Sequence, residues 1–304
     1  MKIVTLTLAP AFDIHCDADS ITVDHENIAR ITDFDAGGKG VNISRALNCF
    51  DVSNTAVVVI GCENGVDFEN KLKNENICFQ KVEIQGRIRE NITIHTANGK
   101  ETRISFTGTP APFDLMDTVE KITDKICNED TILTFTGRLP EGVSLDEAKA
   151  YIKKLSARGV RIVLDSRSFA LSDMLEVKPF LIKPNEEEIS AYIGRDISDF
   201  DSAANAAWDL CSKGIDNVMI SLGALGAVIC SDGEIYSVKA PKINAVSTVG
   251  AGDSSIAGFL YAISRGKSIF ECLKTAVAFG SAACLTSGTN PPDKREVEAF
   301  LSAM

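Results

Sequence analysis

The chain has 304 residues, 45% hydrophobic and 24% charged, with a formal net charge of −11. It is long enough to bury a sizeable core in one large α/β domain or two smaller ones, and its composition is that of an ordinary globular protein. The negative balance argues against nucleic acid or an anionic membrane as the main partner, so any phosphate site must be built locally.

In chain order, Met1-Lys2 leads into a strand-like run, Ile3–Leu8, which Pro10 and Asp13 interrupt too early for a signal peptide. No apolar run reaches the roughly 18 residues of a membrane span, and the expected location is the cytoplasm. Cys16 to Phe34 has strand periodicity without a helix. Next, Ala36-Gly37-Gly38-Lys39-Gly40-Val41-Asn42 forms a glycine-rich turn entering a helix, Val41–Cys49. Its glycines permit close backbone approach to a ligand, while Lys39 and Asn42 add a cation and an amide. The plainer alternative is a helix entry with a solvated lysine.

A strand at Thr55–Ile60 and a helix at Phe68–Asn74 precede a second helix-free region, Phe79 to Phe106. Within it Asn98-Gly99 separates the alternating runs Asn91–Thr96 and Glu101–Phe106, a strong hairpin signal. The two helix-free pieces, spanning about 12–34 and 79–107, are expected to pair into a small sheet beside the main domain. It would cover the site as a lid or meet a second subunit; the alternative is an antiparallel extension of the main sheet.

Thereafter helices at Leu115–Ile126, Leu145–Ala157, Glu187–Ile193 and Ala203–Lys213 alternate with strands at Thr131–Phe135, Arg161–Asp165, Phe180–Ile182 and Val218–Leu222. That order predicts an α/β fold: a mostly parallel central sheet with helices on both faces, and a ligand site at the carboxyl ends of its strands. The nine cysteines include no CxxC pair and sit mostly among apolar neighbours, as reduced core cysteines do. The three histidines, His15, His25 and His95, form no zinc-binding spacing.

The most informative stretch runs from Ser247 to Phe259, STVGAGDSSIAGF. Gly250, Ala251 and Gly252 let several N–H groups converge on one anion, and the helix that follows adds its dipole. Asp253 is then a carboxylate in a place built for an anion. It makes sense there as a base taking a proton from a hydroxyl that attacks phosphorus, or else as a simple helix cap. No Gly-Lys-Ser or Gly-Lys-Thr of a Walker A loop occurs, and GxGxxS replaces the dinucleotide GxGxxG.

AGGKGVNISRAL and STVGAGDSSIAGF, about 200 residues apart, resemble the two signatures of the ribokinase-like (PfkB) carbohydrate kinases. Thr5 to Asp13, Ile182 to Glu188 and Ser221 to Gly226 follow the same family in order, so the likeness covers essentially the whole chain. It is greatest to the branch acting on ketohexose phosphates, 1-phosphofructokinase and tagatose-6-phosphate kinase.

The resemblance implies a single ribokinase-like domain, 1–304, using ATP and Mg²⁺, with room for a monovalent cation such as K⁺. It makes Asp253 the general base and Gly250, Ala251 and Gly252 the donors to the transferring phosphoryl group. Asp13 would hold sugar hydroxyls, helped by Gly38, Lys39, Gly40 and Asn42, and Arg89 would meet the substrate phosphate. Lys183, Asn185, Ser221, Gly223 and Gly226 would serve the nucleotide, with Glu188 near the metal through water. The plainer alternatives are a capped helix at Lys183 to Glu186, a hairpin turn at Ser221 to Gly226 and a solvated loop acid at Asp13.

Three departures stand out: Ala9 for the usual Asn, Ile28 for an Arg, and Thr136-Gly137-Arg138 for Ser-Gly-Ser. Losing a cation at position 28 should weaken the grip on a substrate phosphate, and Arg138 is the expected replacement. The expected reaction is ATP-dependent phosphorylation of fructose 1-phosphate to fructose 1,6-bisphosphate, in a homodimer joined through the β lid. Alternatives are a tagatose-6-phosphate or fructose-6-phosphate kinase, a kinase of an unphosphorylated sugar or nucleoside, and, in another class, a non-catalytic sugar-phosphate sensor.

Overall fold

A computed structural model describes residues 1–304. In chain order it begins β1 (Lys2–Thr7), β2 (Ala11–Ala18), β3 (Arg30–Gly37), α1 (Lys39–Cys49), β4 (Thr55–Gly61) and α2 (Gly65–Asn74). There follow β5 (Phe79–Ile84), β6 (Arg89–Thr96), β7 (Glu101–Ser105), α3 (Leu115–Ile126), β8 (Thr131–Thr136), α4 (Leu145–Ala157) and β9 (Arg161–Asp165). The remainder is α5 (Leu171–Val177), β10 (Leu181–Ile182), α6 (Glu186–Ile193), α7 (Phe200–Cys211), β11 (Asn217–Ser221), β12 (Gly226–Ser231), β13 (Glu234–Lys239), α8 (Ala251–Ser264), α9 (Ile269–Ala283) and α10 (Lys294–Ala303).

Nine strands form one sheet in the order β13-β12-β11-β10-β9-β8-β1-β4-β5, parallel from β11 to β5 and antiparallel at the β12 and β13 edge. Alternation along each strand feeds two cores. On β8, Leu133 and Phe135 join the core under α3 to α7, while Ile132 joins the core under α1, α8, α9 and α10; β9 repeats this with Ile162 and Leu164 against Val163. A sheet buried on both faces needs apolar residues at both parities, which is why its strands read as nearly continuous hydrophobic runs. Each fully buried Leu, Ile or Phe contributes about 1.5–3 kcal/mol.

A second sheet of four strands, β3-β2-β6-β7, is built from the two excursions of the chain between β1 and α1 and between β5 and α3. Phe79–Ile84 was expected in the lid, but as β5 it pairs with β4 in the main sheet, where Val82 is buried in the core; the second lid segment therefore starts at Arg89. The Asn98-Gly99 hairpin joins β6 to β7, with Gly99 at φ 78. The small sheet has two unlike faces. Asp13, His15, Asn91 and Thr93 are buried on one, whereas Phe34, Ile14, Ile92 and Ile104 form a row across all four strands on the other.

Candidate active site

The loops at the carboxyl ends of β1, β8, β9, β10 and β11 converge with the N-termini of α1 and α8, where an open parallel sheet places its ligands. Gly250 caps α8 in the left-handed region, φ 80, a conformation costly for any residue with a Cβ. The Ala251 N–H makes one long bond to Thr248 O at 3.4 Å, and the N–H groups of Gly252 and Asp253 have no acceptor. Free donors at a helix N-terminus are an anion site. Lys183, 6% exposed, stands beside it: its Nζ lies 3.1 Å from where a Cβ on Gly252 would be.

Asp253 is 7% exposed, and its Oδ2 accepts a hydrogen bond from Asn42 Nδ2 at 2.9 Å. Burial pushes its carboxyl up to about 6; Lys39, Asn42 and Lys183 pull the other way, and Asp165 adds to the rise. Asp165, at the end of β9, behaves oppositely. Its burial alone would raise it, but Lys183 and Lys39 outweigh burial and hold it below the usual carboxylate range. Lys39 Nζ donates to Asp165 Oδ2 at 2.7 Å, and that carboxylate, with Asp253, keeps the ammonium protonated despite its own burial. Two neighbouring carboxylates thus part ways, one held below the usual carboxylate range and the other pushed up to about 6.

On the lid side, Asp13 Oδ1 accepts hydrogen bonds from Asn91 Nδ2 at 2.9 Å and from Arg103 at 3.0 Å, leaving Oδ2 without a partner. A cavity of about 230 Å³ lies between the small sheet and the loops after β1 and β8. Arg87, Arg89 and Arg138 line it together. Arg89 donates to Asn91 Oδ1 at 3.1 Å, and burial with the neighbouring Arg103 and Arg138 lowers its pKa, against the pull of Asp13. Ile28 does not join this group. It is 86% exposed and lines a separate cavity with Asp17, Arg30 and His95, so positions 28 and 138 do not meet within one chain.

On the opposite side, Lys183, Asn185 and Ser221 come together: Ser221 N–H donates to Pro184 O, and Asn185 bridges Ser221 as an isolated parallel pair. Gly223 opens the short 3₁₀ turn after β11, facing Glu186. Gly226 is explained by packing, because a Cβ there would lie 2.0 Å from Val238 O. Asn185 and Glu188 form a capping box at the start of α6, and Glu188 Oε1 also accepts from Arg167 Nε at 2.7 Å. No group of three or more His, Cys, Asp or Glu side chains is placed to hold a metal. The residues present would suit a hydrated Mg²⁺ carried on nucleotide phosphates rather than an ion held by protein ligands alone, and any contact from Glu188, whose two oxygens accept from Arg167 and the Asn185 N–H, would run through water.

Sequence reasoning missed Arg87, Arg103, Asp165 and Arg45. Arg87 was findable, since it lies two residues before Arg89 on an extended segment and so shares its side. Arg103 and Asp165 needed the strand pairings.

A mostly parallel sheet whose carboxyl edge sets a poised carboxylate on a helix N-terminus, beside a four-stranded lid-like sheet, is the frame of a ribokinase-like phosphotransferase. The chain belongs to the pfkB family of carbohydrate kinases, matching it over residues 7–295. It is 31% identical over 303 residues to the 1-phosphofructokinase of Haemophilus influenzae, covering 99% of this chain and 96% of that protein. It is also 31% identical over 308 residues to the ATP-dependent 6-phosphofructokinase isozyme 2 of Escherichia coli, covering 99% of each. Among solved structures, Escherichia coli phosphofructokinase-2 in complex with substrates and products superposes with a TM-score of 0.94 at 30% identity over 100% of this chain and 99% of that one. The same enzyme has also been solved in complex with potassium and in a tetrameric inhibited form. The chain is an ATP-dependent sugar-phosphate kinase of the ribokinase-like fold.

Proposed function

We propose that the substrate is fructose 1-phosphate, converted to fructose 1,6-bisphosphate, with Asp253 as the base. The observation that carries the chemistry is a buried carboxylate at about 6 lying at the free N–H groups of Gly252 and of its own backbone. The sugar hydroxyl oxygen bonds to the γ-phosphorus of ATP as the bond to the β-phosphate oxygen breaks, and the hydroxyl proton passes to Asp253. Gly252 and Asp253 N–H groups, with Lys183, meet the charge on the transferring group, and Ala251 adds a donor if its long bond opens. Asp13 Oδ2, Gly38, Lys39, Gly40 and Asn42 hold the sugar hydroxyls; Arg89 and Arg138, joined by Arg87, hold its phosphate. Ser221, Gly223 and Asn185 border the nucleotide. Mg²⁺, when bound, neutralises phosphate charge, and the potassium complex of the relative supports a monovalent cation here too.

The relatives named 1-phosphofructokinase support this substrate. The fit to phosphofructokinase-2, one of whose structures is in complex with fructose-6-phosphate, favours that ester as the second reading. The apolar row of the small sheet, with Phe34 and Ile104 exposed and Ile14 and Ile92 half-buried, supports a homodimer closing through that sheet, a lid over the site. A cytoplasmic location belongs to the same proposal and is in keeping with the pfkB family of carbohydrate kinases; no helix is long and apolar enough to cross a membrane. A panel of fructose 1-phosphate, fructose 6-phosphate, tagatose 6-phosphate and free sugars, read by ADP release, decides the substrate. Turnover greatest with fructose 1-phosphate supports the reading, and a preference for another ester or none replaces it.

A further inference from the structure

Behind the Asn42 amide lies a side chain to which the family resemblance assigned no role. Arg45, on α1, is 8% exposed. Its Nε donates to Glu75 Oε2 at 2.6 Å and its Nη2 to Glu75 Oε1 at 3.1 Å, a two-pronged grip on the residue that caps α2 just past its last turn. Nη2 also bonds Ala36 O in the glycine turn, and Nη1 donates to Asn42 Oδ1 at 3.0 Å. A guanidinium has donors and no acceptor, so only the oxygen of the Asn42 amide can face it. The amide nitrogen is thereby turned to Asp253 Oδ2, 2.9 Å away.

We propose that Arg45, anchored by Glu75, is a positioning residue that locks the Asn42 amide with its N–H toward Asp253 and so keeps that carboxylate free to accept a proton. The proposal rests on the reading of Asp253 as the base. Without Arg45 the amide can rotate by a half-turn and present its oxygen to the carboxylate, an arrangement that is favourable only while Asp253 keeps its proton. The other charged groups around Asp253 are Lys39 on α1, Asp165 at the end of β9 and Lys183 after β10. None of them is a partner of Arg45, so a change at Arg45 leaves them in place.

The test is the pH dependence of kcat/KM for the sugar phosphate from about pH 5 to 9 in the wild type, Arg45→Met, Arg45→Lys, Glu75→Gln and Asp253→Asn, each with a thermal melt. In Arg45→Met the acid limb moves up by about one pH unit, so the loss is about tenfold near pH 5 and shrinks as the pH rises. Arg45→Lys, which keeps the charge, restores the limb part of the way, and Glu75→Gln moves it in the same direction by less. If Arg45→Met does not fold, those two variants decide, since Glu75 is 28% exposed and its replacement keeps an acceptor. A loss that is equal at every pH in folded variants overturns the proposal and leaves Arg45 a purely structural tie. Near wild-type turnover in Asp253→Asn overturns the base reading itself and the proposal with it, so the two failures are distinguishable.

Discussion

Lys39 and Asp165, 126 positions apart, meet at 2.7 Å beside Asp253, and their pairing separates the two acids: Asp165 is held low while Asp253 is pushed up to about 6. Asp165 takes the ammonium and stays ionised, while its charge helps to hold Asp253 near neutral pH. Replacing Asp165 by Asn removes that repulsion and frees Lys39 to turn to Asp253. The acid limb of kcat/KM is then expected below the wild-type position, opposite to the shift expected on losing Arg45. An unmoved or raised limb would show that the carboxylates do not interact.

Asp253→Asn is expected to bind nucleotide but lose kcat by roughly 10² or more, the scale of general-base catalysis. The same variant tests the cost of burying this acid. Its folded value, about 6, exceeds the ordinary 3.8, so between those values the folded chain holds more protons than the unfolded one and stability falls as the pH rises. Above about pH 6 that loss is complete, about 3 kcal/mol. Asp253→Asn should therefore melt higher than the wild type at pH 7, by a margin that shrinks toward pH 4; an equal margin at both would contradict the buried charge.

Arg138 has no ion pair and lines a cavity with Arg87 and Arg89. Arg138→Ser is expected to raise KM for the sugar phosphate by roughly 1.5–3 kcal/mol equivalent, with little change for ATP. An equal rise for both substrates would remove Arg138 from the phosphate. Because Ile28 lies elsewhere in the chain, restoring Arg at 28 is expected to change this KM only if a second copy brings that residue over.

Gly37 is the site where one methyl group would be felt most directly. A Cβ there would lie 2.1 Å from Asp13 Oδ2, the oxygen with no partner, and 3.3 Å from Ala11 O, so the carboxylate must swing away. Gly37→Ala should weaken sugar binding about tenfold or more while ATP binding persists, a loss like that of a charged hydrogen bond. Unchanged sugar KM would free Asp13 from that role.

The row of Phe34, Ile14, Ile92 and Ile104 is expected to be covered by a second copy, and sedimentation should show at least a dimer that substitution of Ile104 by Lys dissociates. Closure of the small sheet over substrate would slow hydrogen exchange in β2, β3, β6 and β7. A monomer would remove the interface, and exchange unchanged by substrate would remove the lid.

The local devices were legible along the chain. Gly250-Ala251-Gly252 before a helical pattern, Asn98-Gly99 between alternating runs and the strand and helix order depend on contacts a few residues apart, so spacing reveals them. The bounds of Leu115–Ile126, Leu145–Ala157 and Arg161–Asp165 coincide in sequence and structure for that reason. What the tertiary structure alone decided are pairings between distant segments. β5 joins the main sheet because its backbone meets β4, although its pattern reads like that of the lid strands. Asn42 reaches Asp253 across 211 positions, and Arg103 reaches Asp13 across 90. Nothing in spacing encodes which buried carboxylate receives Lys39. That is settled by where β9 ends relative to α1, and with it which acid stays charged and which can take a proton.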